Sequence, residues 1–283
     1  MKATSRYFLY FFMIFAATAG FLQNRYDRHT NYFSAKNVFI SLPSGKSLRV
    51  LSFGFQNLLA DVLYIWAIQL FSTYTIENRF DYIEPIFNAI TDVTPAYRDP
   101  YMIGSLIMVY ENKDPLMAIR LLDKGSAALP GEWIFDHDAG YYAYKFLKDY
   151  PKAEFYYSRA ARKPGAPSFI QRNKAHMVYL EDNLTVAWRM WQEIYRNARE
   201  RIERDSAFNH LFQIKSDIDS ALLQPKIKQF REAFNRNPID LEELVHRRFI
   251  RQVPRDFSGK EYLYDPKSGQ VRARQVFRWK KFS

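Results

Sequence analysis

Residues 139–164, AGYYAYKFLKDYPKAEFYYSRAARKP, contain two helical patterns and end at a proline. Proline stops a helix because it has no N–H to donate and because its ring clashes with the preceding turn. Helical patterns also end at Thr94-Pro95 and at Leu129-Pro130, so that successive prolines lie 35 and 34 residues apart. This regular spacing predicts a repeated helix–turn–helix unit.

The residue types inside the units recur at the same period. Small residues stand where the two helices of a unit come close together, and larger ones stand beside them. These positions are Ala118 and Leu122 ahead of Pro130, and Ala139, Gly140, Ala153, Tyr157 and Ala160 ahead of Pro164. Helical patterns at 47–74 and 78–93 predict another pair before Pro95, and those at 168–180 and 184–197 predict one after Pro164. The chain would then hold three to four units.

With this period and these residues, the chain resembles bacterial membrane-anchored tetratricopeptide-repeat (TPR) proteins over about residues 48–198. The resemblance implies an all-α fold, a right-handed α-solenoid of TPR-like helix pairs. One pair cannot bury its own apolar face, whereas stacked pairs can, and the stack leaves an inner groove. Two features depart from the family pattern. Gly125 stands where alanine is preferred, and the helix predicted at 47–74 is longer than usual.

Beyond the predicted repeats, residues 199–283 form a different pattern. Residues 199–237 predict two charged amphipathic helices broken near Pro225. Asp240 is expected to cap a short helix at 241–250, because its carboxylate can accept from the first free N–H groups. Residues 259–273 alternate apolar and polar side chains around a turn at 265–269, which predicts a hairpin. We expect this region to be a small helical and hairpin cap.

The N-terminal region predicts membrane attachment. Residues 7–22 carry no charged side chain, and Lys2 and Arg6 precede them. A short basic stretch before an apolar run is an export signal. We expect residues 1–24 to stay as a single transmembrane helix in the bacterial inner membrane, with 25–46 as a linker and the body in the periplasm. Cleavage after Ala17-Thr18-Ala19, which would release a periplasmic or secreted body, is the alternative.

A second apolar stretch, residues 50–76, is also long enough to cross a bilayer. It holds Gln56, Asn57, Asp61 and Gln69. An aspartate at mid-bilayer costs about 2.5–3.5 kcal/mol on insertion. We therefore predict that this stretch is a buried helix of the body.

The residues provide little that is typical of a catalytic or metal site. The absence of cysteine excludes disulfides and thiolate ligands. In Asp136-His137-Asp138 neighbouring side chains of a helix would point in different directions, and a capped or solvated helix start is the preferred interpretation. Glu243 and His246 have the spacing of a di-iron ligand pair, but the sequence holds no second such pair. We expect no enzyme activity, no cofactor and no metal.

The expected function is that of a non-enzymatic scaffold or adaptor that binds other proteins in the TPR groove. The first helix of each pair lines the groove in this repeat type, which places eight residues on or near it. They are Tyr110, His137, Asp138, Tyr141, Tyr144, Arg172, His176 and Tyr179. An accessory structural subunit of a larger membrane complex is the alternative, and an enzyme is a remote one.

The end of the chain is basic and holds no acidic residue after Asp265. Its charges are Arg272, Arg274, Arg278, Lys280 and Lys281. Such a tail can contact anionic lipid or an acidic partner, or it can be solvated. Acidic residues are interleaved with the basic ones elsewhere, which argues against nucleic acid as a partner.

Overall fold

The computed structural model describes residues 13–15, 17–21, 25, 38 and 40–275. The chain divides into two compact units, Met1–Pro100 and Tyr101–Ser283. Half of the anchor predicted at 7–22 lies outside the described residues, and its described residues, 13–15 and 17–21, are helical. In the part that the structure describes, no helix is long and apolar enough to cross a membrane. The domain boundaries proposed above stay a prediction.

The first unit is built around one helix. Its elements are α1 (Gly45–Leu51), α2 (Gln56–Ser72), a 3-10 turn (Arg79–Tyr82) and α3 (Ile83–Val93). Helix α3 packs against both α1 and α2. It buries Ile83, Ile86, Phe87 and Ile90. The ring of Phe87 stacks on Phe71 of α2 at 5.8 Å. The apolar face of α3 is therefore the core of this unit.

The single long helix predicted at 47–74 is wrong. Helix α1 ends at Leu51 and α2 begins at Gln56. Between them Phe53 and Gly54 adopt left-handed backbone conformations, with φ of 49° and 95°. Glycine allows this reversal at low cost. The break lets two short helices, rather than one long one, pack on α3.

The second unit begins within α4 (Arg98–Tyr110) and consists mainly of helices. They are α5 (Pro115–Ala128), α6 (Trp133–Tyr142), α7 (Tyr150–Ala161), α8 (Phe169–Leu180), α9 (Leu184–Asn197) and α10 (Arg201–Phe234). From α5 onward each helix packs against the next one along the chain. A mostly helical fold is thus confirmed, and its contacts are mainly between sequence neighbours.

A turn recurs between paired helices of this unit. Lys113, Lys148 and Asp182 have φ near 60° and lie 35 and 34 residues apart, the interval of the prolines. The next residue in each case caps the following helix. Asp114 accepts from the Met117 N–H at 2.9 Å, Asp149 from Lys152 at 3.0 Å and Asn183 from Val186 at 3.3 Å. The left-handed residue ends one helix and the Asx side chain starts the next.

Two glycines of the second unit mark close approaches between helices. A Cβ atom on Gly125 would lie 3.0 Å from the ring of Tyr101, and one on Gly140 would lie 3.0 Å from the ring of Tyr157. Both rings are buried. The departure from alanine at Gly125 therefore has a steric reason, because the opposing aromatic ring occupies the space that a methyl group would need.

The C-terminal region contains one long helix, not the two predicted. Helix α10 runs for 34 residues with Pro225 inside it. On both sides of the proline, Leu223, Ile227 and Phe230 are buried in one apolar cluster. Packing along this continuous face outweighs the cost of the interior proline, which is about 3 kcal/mol.

The short helix and the hairpin at the end are confirmed. Helix α11 (Leu241–His246) is capped by Asp240, which accepts from the Glu243 N–H at 2.8 Å. It ends four residues earlier than predicted. Strands β1 (Leu263–Asp265) and β2 (Gln270–Arg272) pair antiparallel, with Tyr264 opposite Val271. Tyr262 joins the cluster on α10 and donates its hydroxyl to Asp219 at 2.5 Å. The hairpin is thereby fixed to the long helix.

Candidate protein-binding face

The predicted groove residues come mostly from α4, α6 and α8, the first helices of successive pairs. Their positions depend on how tightly α5, α6 and α7 are held together. An ion-pair network around one buried carboxylate helps to hold them. Asp136 is fully buried and pairs with Arg159 at 2.6 Å and with Lys163 at 2.8 Å. Arg159 also reaches Asp123 of α5 at 2.6 Å. The preferred interpretation of Asp136 as part of a capped or solvated helix start was wrong.

Aromatic side chains form a row across the first helices. Tyr110, at the end of α4, lies edge-on to Phe146 at 5.5 Å, and Phe146 lies edge-on to Tyr141 at 6.4 Å. A hydrogen bond joins the hydroxyls of Tyr110 and Tyr141. Burial first, and then this bond, raise the pKa of Tyr110. Tyr110 and Phe146 are 43% and 38% exposed. This end of the row is open to a binding partner.

The row continues from α6 to α8 and becomes closed. Tyr144 lies edge-on to His176 of α8 at 6.2 Å, and His176 stacks on Tyr179 at 6.1 Å. Burial raises the pKa of Tyr144 and lowers that of His176 to about 4. Tyr179 is buried, and its hydroxyl donates to Asp217 of α10 at 2.9 Å.

Behind His176 lies a buried pair of rings. His210 of α10 approaches His176 at 5.3 Å and stacks on Trp191 of α9 at 3.8 Å. Burial lowers the pKa of His210 to about 3, and the neighbouring His176 adds to the effect. Both imidazoles are therefore neutral at pH 7. At this end the side chains mainly join α8, α9 and α10.

A second layer lies one turn earlier on the same helices. His137 packs against Phe169 of α8 at 5.3 Å, and its Nδ1 lies 2.9 Å from the Asp138 carboxylate. Arg172 of α8 donates to Glu203 of α10 at 2.7 Å. This ion pair lies at a cleft of about 540 Å³ between the start of α8, the end of α9 and the start of α10. The cleft is lined by charged and apolar residues, including Glu193, Ile194 and Ile202.

The structure thus brings most of the predicted groove residues into two neighbouring layers. Tyr110, Tyr141, Tyr144, His176 and Tyr179 form the aromatic row. His137 and Arg172 form the second layer, with Asp138 beside His137. The α4–α6 end of the row and the cleft at Arg172 are open, whereas Tyr179 is buried. That these residues bind a partner stays a prediction.

Sequence reasoning missed Phe146 and Glu203. Phe146 lies in a π-helical turn (Ala143–Leu147) that continues α6. An i→i+5 turn brings residue 146 beside residue 141, whereas α-helical spacing points to 144 and 145. The density of aromatics in YYAYKF is the only signal in the sequence. Glu203 is 31 residues from Arg172, and no local pattern connects them.

The other candidate sites have structural roles or stay predictions. Glu243 accepts hydrogen bonds from the two terminal guanidinium nitrogens of Arg236 at 3.0 and 2.7 Å, and these bonds lower the pKa of Glu243 to about 2. Among the described residues, no group of three or more side chains is arranged to hold a metal ion. Arg272 lies in β2 and Arg274 just after it, while Arg278, Lys280 and Lys281 lie outside the described residues.

Comparison with known proteins supplies no family for this chain. No protein-family model matches it, and no curated protein is similar to it in sequence. The resemblance to TPR proteins therefore depends on the period and the residues described above.

Proposed function

We propose that this chain is a non-enzymatic scaffold of the TPR type, tethered to the bacterial inner membrane, that binds protein partners through its aromatic row. The observation that carries the proposal is that ring contacts at the end of α6 reach both neighbouring first helices. Phe146 meets Tyr110 of α4, Tyr144 meets His176 of α8, and the α4–α6 end is exposed. A surface that crosses successive helix pairs is what a peptide or protein segment needs for binding along its length.

The solenoid is supported by the repeated turn. Three left-handed residues, each followed by an Asx cap, recur at the interval of the prolines. Helices from α5 to α10 contact mainly their neighbours in the chain. Such a quasi-one-dimensional contact pattern is typical of α-solenoids, and right-handed stacking is the form that TPR pairs take.

The side chains at the open end suit protein recognition. Tyrosine and arginine often dominate the binding energy of interfaces, because each combines a large contact area with hydrogen-bonding groups. Tyr110 and Tyr141 supply rings and hydroxyls, and Arg172 with Glu203 supplies a charged pair at the cleft. The partner would be a protein segment with apolar side chains and at least one charge.

A structural subunit of a membrane complex is the second candidate. A specific observation favours it, since large apolar side chains of the first unit are exposed from Val50 to Ile65. A surface of this kind is seldom left in water. Both candidates share the membrane tether at 7–22, with the body in the periplasm, and both need neither cofactor nor metal.

The test compares two exposed aromatic surfaces in the full-length chain, tagged at the C-terminus and purified from membranes. The double change Tyr110→Ala with Phe146→Ala should keep the melting temperature and lower the capture of the wild-type partners by at least tenfold, as expected for hot-spot rings. Phe155→Ala is the matched control, because Phe155 is an exposed aromatic on α7, a second helix. If the double variant captures the same partners in the same amounts, the aromatic row is not the binding site.

A further inference from the structure

An exposed apolar patch lies on the first unit, away from the aromatic row in sequence. Its members share an exposed fraction of 56–85%. They are Val50, Leu51, Phe53, Phe55, Leu58, Val62 and Ile65. The prediction that 50–76 is a buried helix is wrong for these seven residues. Helix α2 turns only its other face inward, where it buries Ala60, Ala67, Leu70 and Phe71.

The backbone presents these side chains as one surface. The left-handed residues Phe53 and Gly54 form a turn between α1 and α2, so that Phe53 and Phe55 stand on an exposed loop. On α2, Leu58, Val62 and Ile65 are four and three residues apart and therefore share a face. Further along the same face Gln69 and Ser72 are polar and exposed. The apolar surface covers the loop and the first half of the helix only.

We infer that this patch enters the interfacial layer of the bilayer and holds the first unit against the membrane. The inference rests on the membrane tether of the proposed function. Residues 23–44 separate the predicted anchor from α1. Twenty-two residues span at most roughly 75 Å when fully extended. The tether thus keeps the first unit within reach of the membrane surface.

The charges beside the patch favour lipid over a protein partner. Lys46 and Arg49 are exposed on α1, and Arg49 directly precedes Val50. Basic side chains next to aromatic and aliphatic ones are typical of segments that lie in the headgroup region. The only acidic residue on this face of α2 is Asp61, which takes part in a hydrogen bond with Tyr97.

The extent of the patch also fits a shallow position. A surface segment of this type buries its apolar side about 5–10 Å into the boundary between headgroups and acyl chains. The loop and the first three turns of α2 are enough for that depth, and the polar Gln69 and Ser72 would remain in water. A transmembrane partner helix would instead need an apolar face along the whole of α2.

The experiment uses the absence of cysteine in the full-length chain. Asn57→Cys places a fluorophore on the exposed face of α2 beside the patch. Ser72→Cys is the matched control on the same helix, about 22 Å further along its axis. Each labelled chain is reconstituted into vesicles of zwitterionic and anionic phospholipid that carry a nitroxide at a shallow acyl position. Flotation reports attachment, and quenching reports the depth of the label.

We expect both chains to float and the label at residue 57 to be quenched at least threefold more than the label at residue 72. Adding Phe53→Ser and Phe55→Ser should reduce the quenching at residue 57 to the level of the control, while flotation by the anchor persists. A floating chain with equal quenching at both positions would overturn the inference and leave the tether intact. The label at residue 57 could instead self-quench as protein density rises, with no response to the nitroxide lipid. That result would overturn the inference and show that the patch contacts a second copy of this chain. A chain that does not float would overturn both the tether and the inference.

Discussion

The two units bury their apolar residues to different extents. In the second unit, a repeated left-handed residue and Asx cap join the helices within the pairs α4–α5, α6–α7 and α8–α9, and buried rings and ion pairs close the contacts between helices. In the first unit, α2 begins at Gln56 after Phe55, which makes no side-chain cap bond, and one face of the helix is apolar and exposed. Buried rings and ion pairs therefore stabilise the second unit, whereas the apolar face of α2 from Leu58 to Ile65 contributes little to the core of the first.

The largest effect is expected at the ion-pair network of the second unit. Asp136→Ala removes the fully buried carboxylate that pairs with Arg159 and Lys163. Breaking a buried pair from one side leaves uncompensated charge and costs about 3–5 kcal/mol. Urea denaturation of the full chain should show this loss. Glu242→Gln, at an exposed carboxylate, is the control and should change stability by less than about 0.5 kcal/mol.

If Asp136→Ala and Glu242→Gln were equally mild, the network would not hold α5, α6 and α7 together. The second unit would then owe its stability to apolar packing alone. The two units would then be stabilised in the same way and would differ only in how much apolar surface they bury.

The buried histidines predict a dependence of stability on pH. Their pKa values, about 4 for His176 and about 3 for His210, lie below the usual 6.5 because of burial. Between pH 6.5 and about 4 the unfolded chain therefore binds more protons than the folded one, and stability falls as the pH is lowered. From pH 7 to pH 5 the loss should be about 2 kcal/mol or more.

Urea denaturation at the two pH values measures this loss. The variant His176→Gln should show a smaller loss than the wild type, because one of the two groups no longer takes up a proton. Carboxylates stay mostly ionised above pH 5 and contribute little in this range. An identical pH dependence in the variant would mean that the histidines are not its source.

The glycines at the helix contacts should respond to a single methyl group. Gly125→Ala and Gly140→Ala place a Cβ 3.0 Å from the buried rings of Tyr101 and Tyr157. Overpacking of this kind costs about 1–3 kcal/mol. Gly131→Ala is the control, since a Cβ there meets nothing within 4 Å. Thermal melts should place the first two below wild type and the third at or above it. A stabilised Gly125→Ala would instead agree with the alanine that TPR proteins prefer.

The sequence predicts local features well. The prolines and small residues located the helix pairs, and the turn at 265–269 predicted the hairpin, because each depends on residues close in the chain. Features that depend on distant partners were missed. Arg159 lies 23 residues from Asp136, and packing of Leu223 and Phe230 keeps Pro225 inside α10. The break at Phe53-Gly54 was marked by a glycine, but the long apolar pattern around it favoured one continuous helix.

The candidate site shows the same division. The period placed Tyr110 on one first helix and Tyr141 and Tyr144 on the next. In the structure the ring of Phe146 lies edge-on to both Tyr110 and Tyr141. It did not predict that Tyr179 is buried against α10, because the partner Asp217 is 38 residues away. Exposure depends on the elements that cover a side chain, and the sequence period does not report them.

The smallest effects compare the starts of two helices. Asp149→Ala removes the bond from the Lys152 N–H at the start of α7 and should cost about 1 kcal/mol, whereas Asp149→Asn should keep most of it. Phe55→Ala, at the N-cap of α2, removes a large ring from a position that is 68% exposed and makes no side-chain cap bond. Its effect on the free energy of unfolding should be within about 0.5 kcal/mol. The two values are measured in the same urea series. A ring that is dispensable for stability and still exposed is available for a contact outside the folded chain, as the docking of the apolar patch requires. If Phe55→Ala proved as costly as Asp149→Ala, the patch would belong to the core of the first unit.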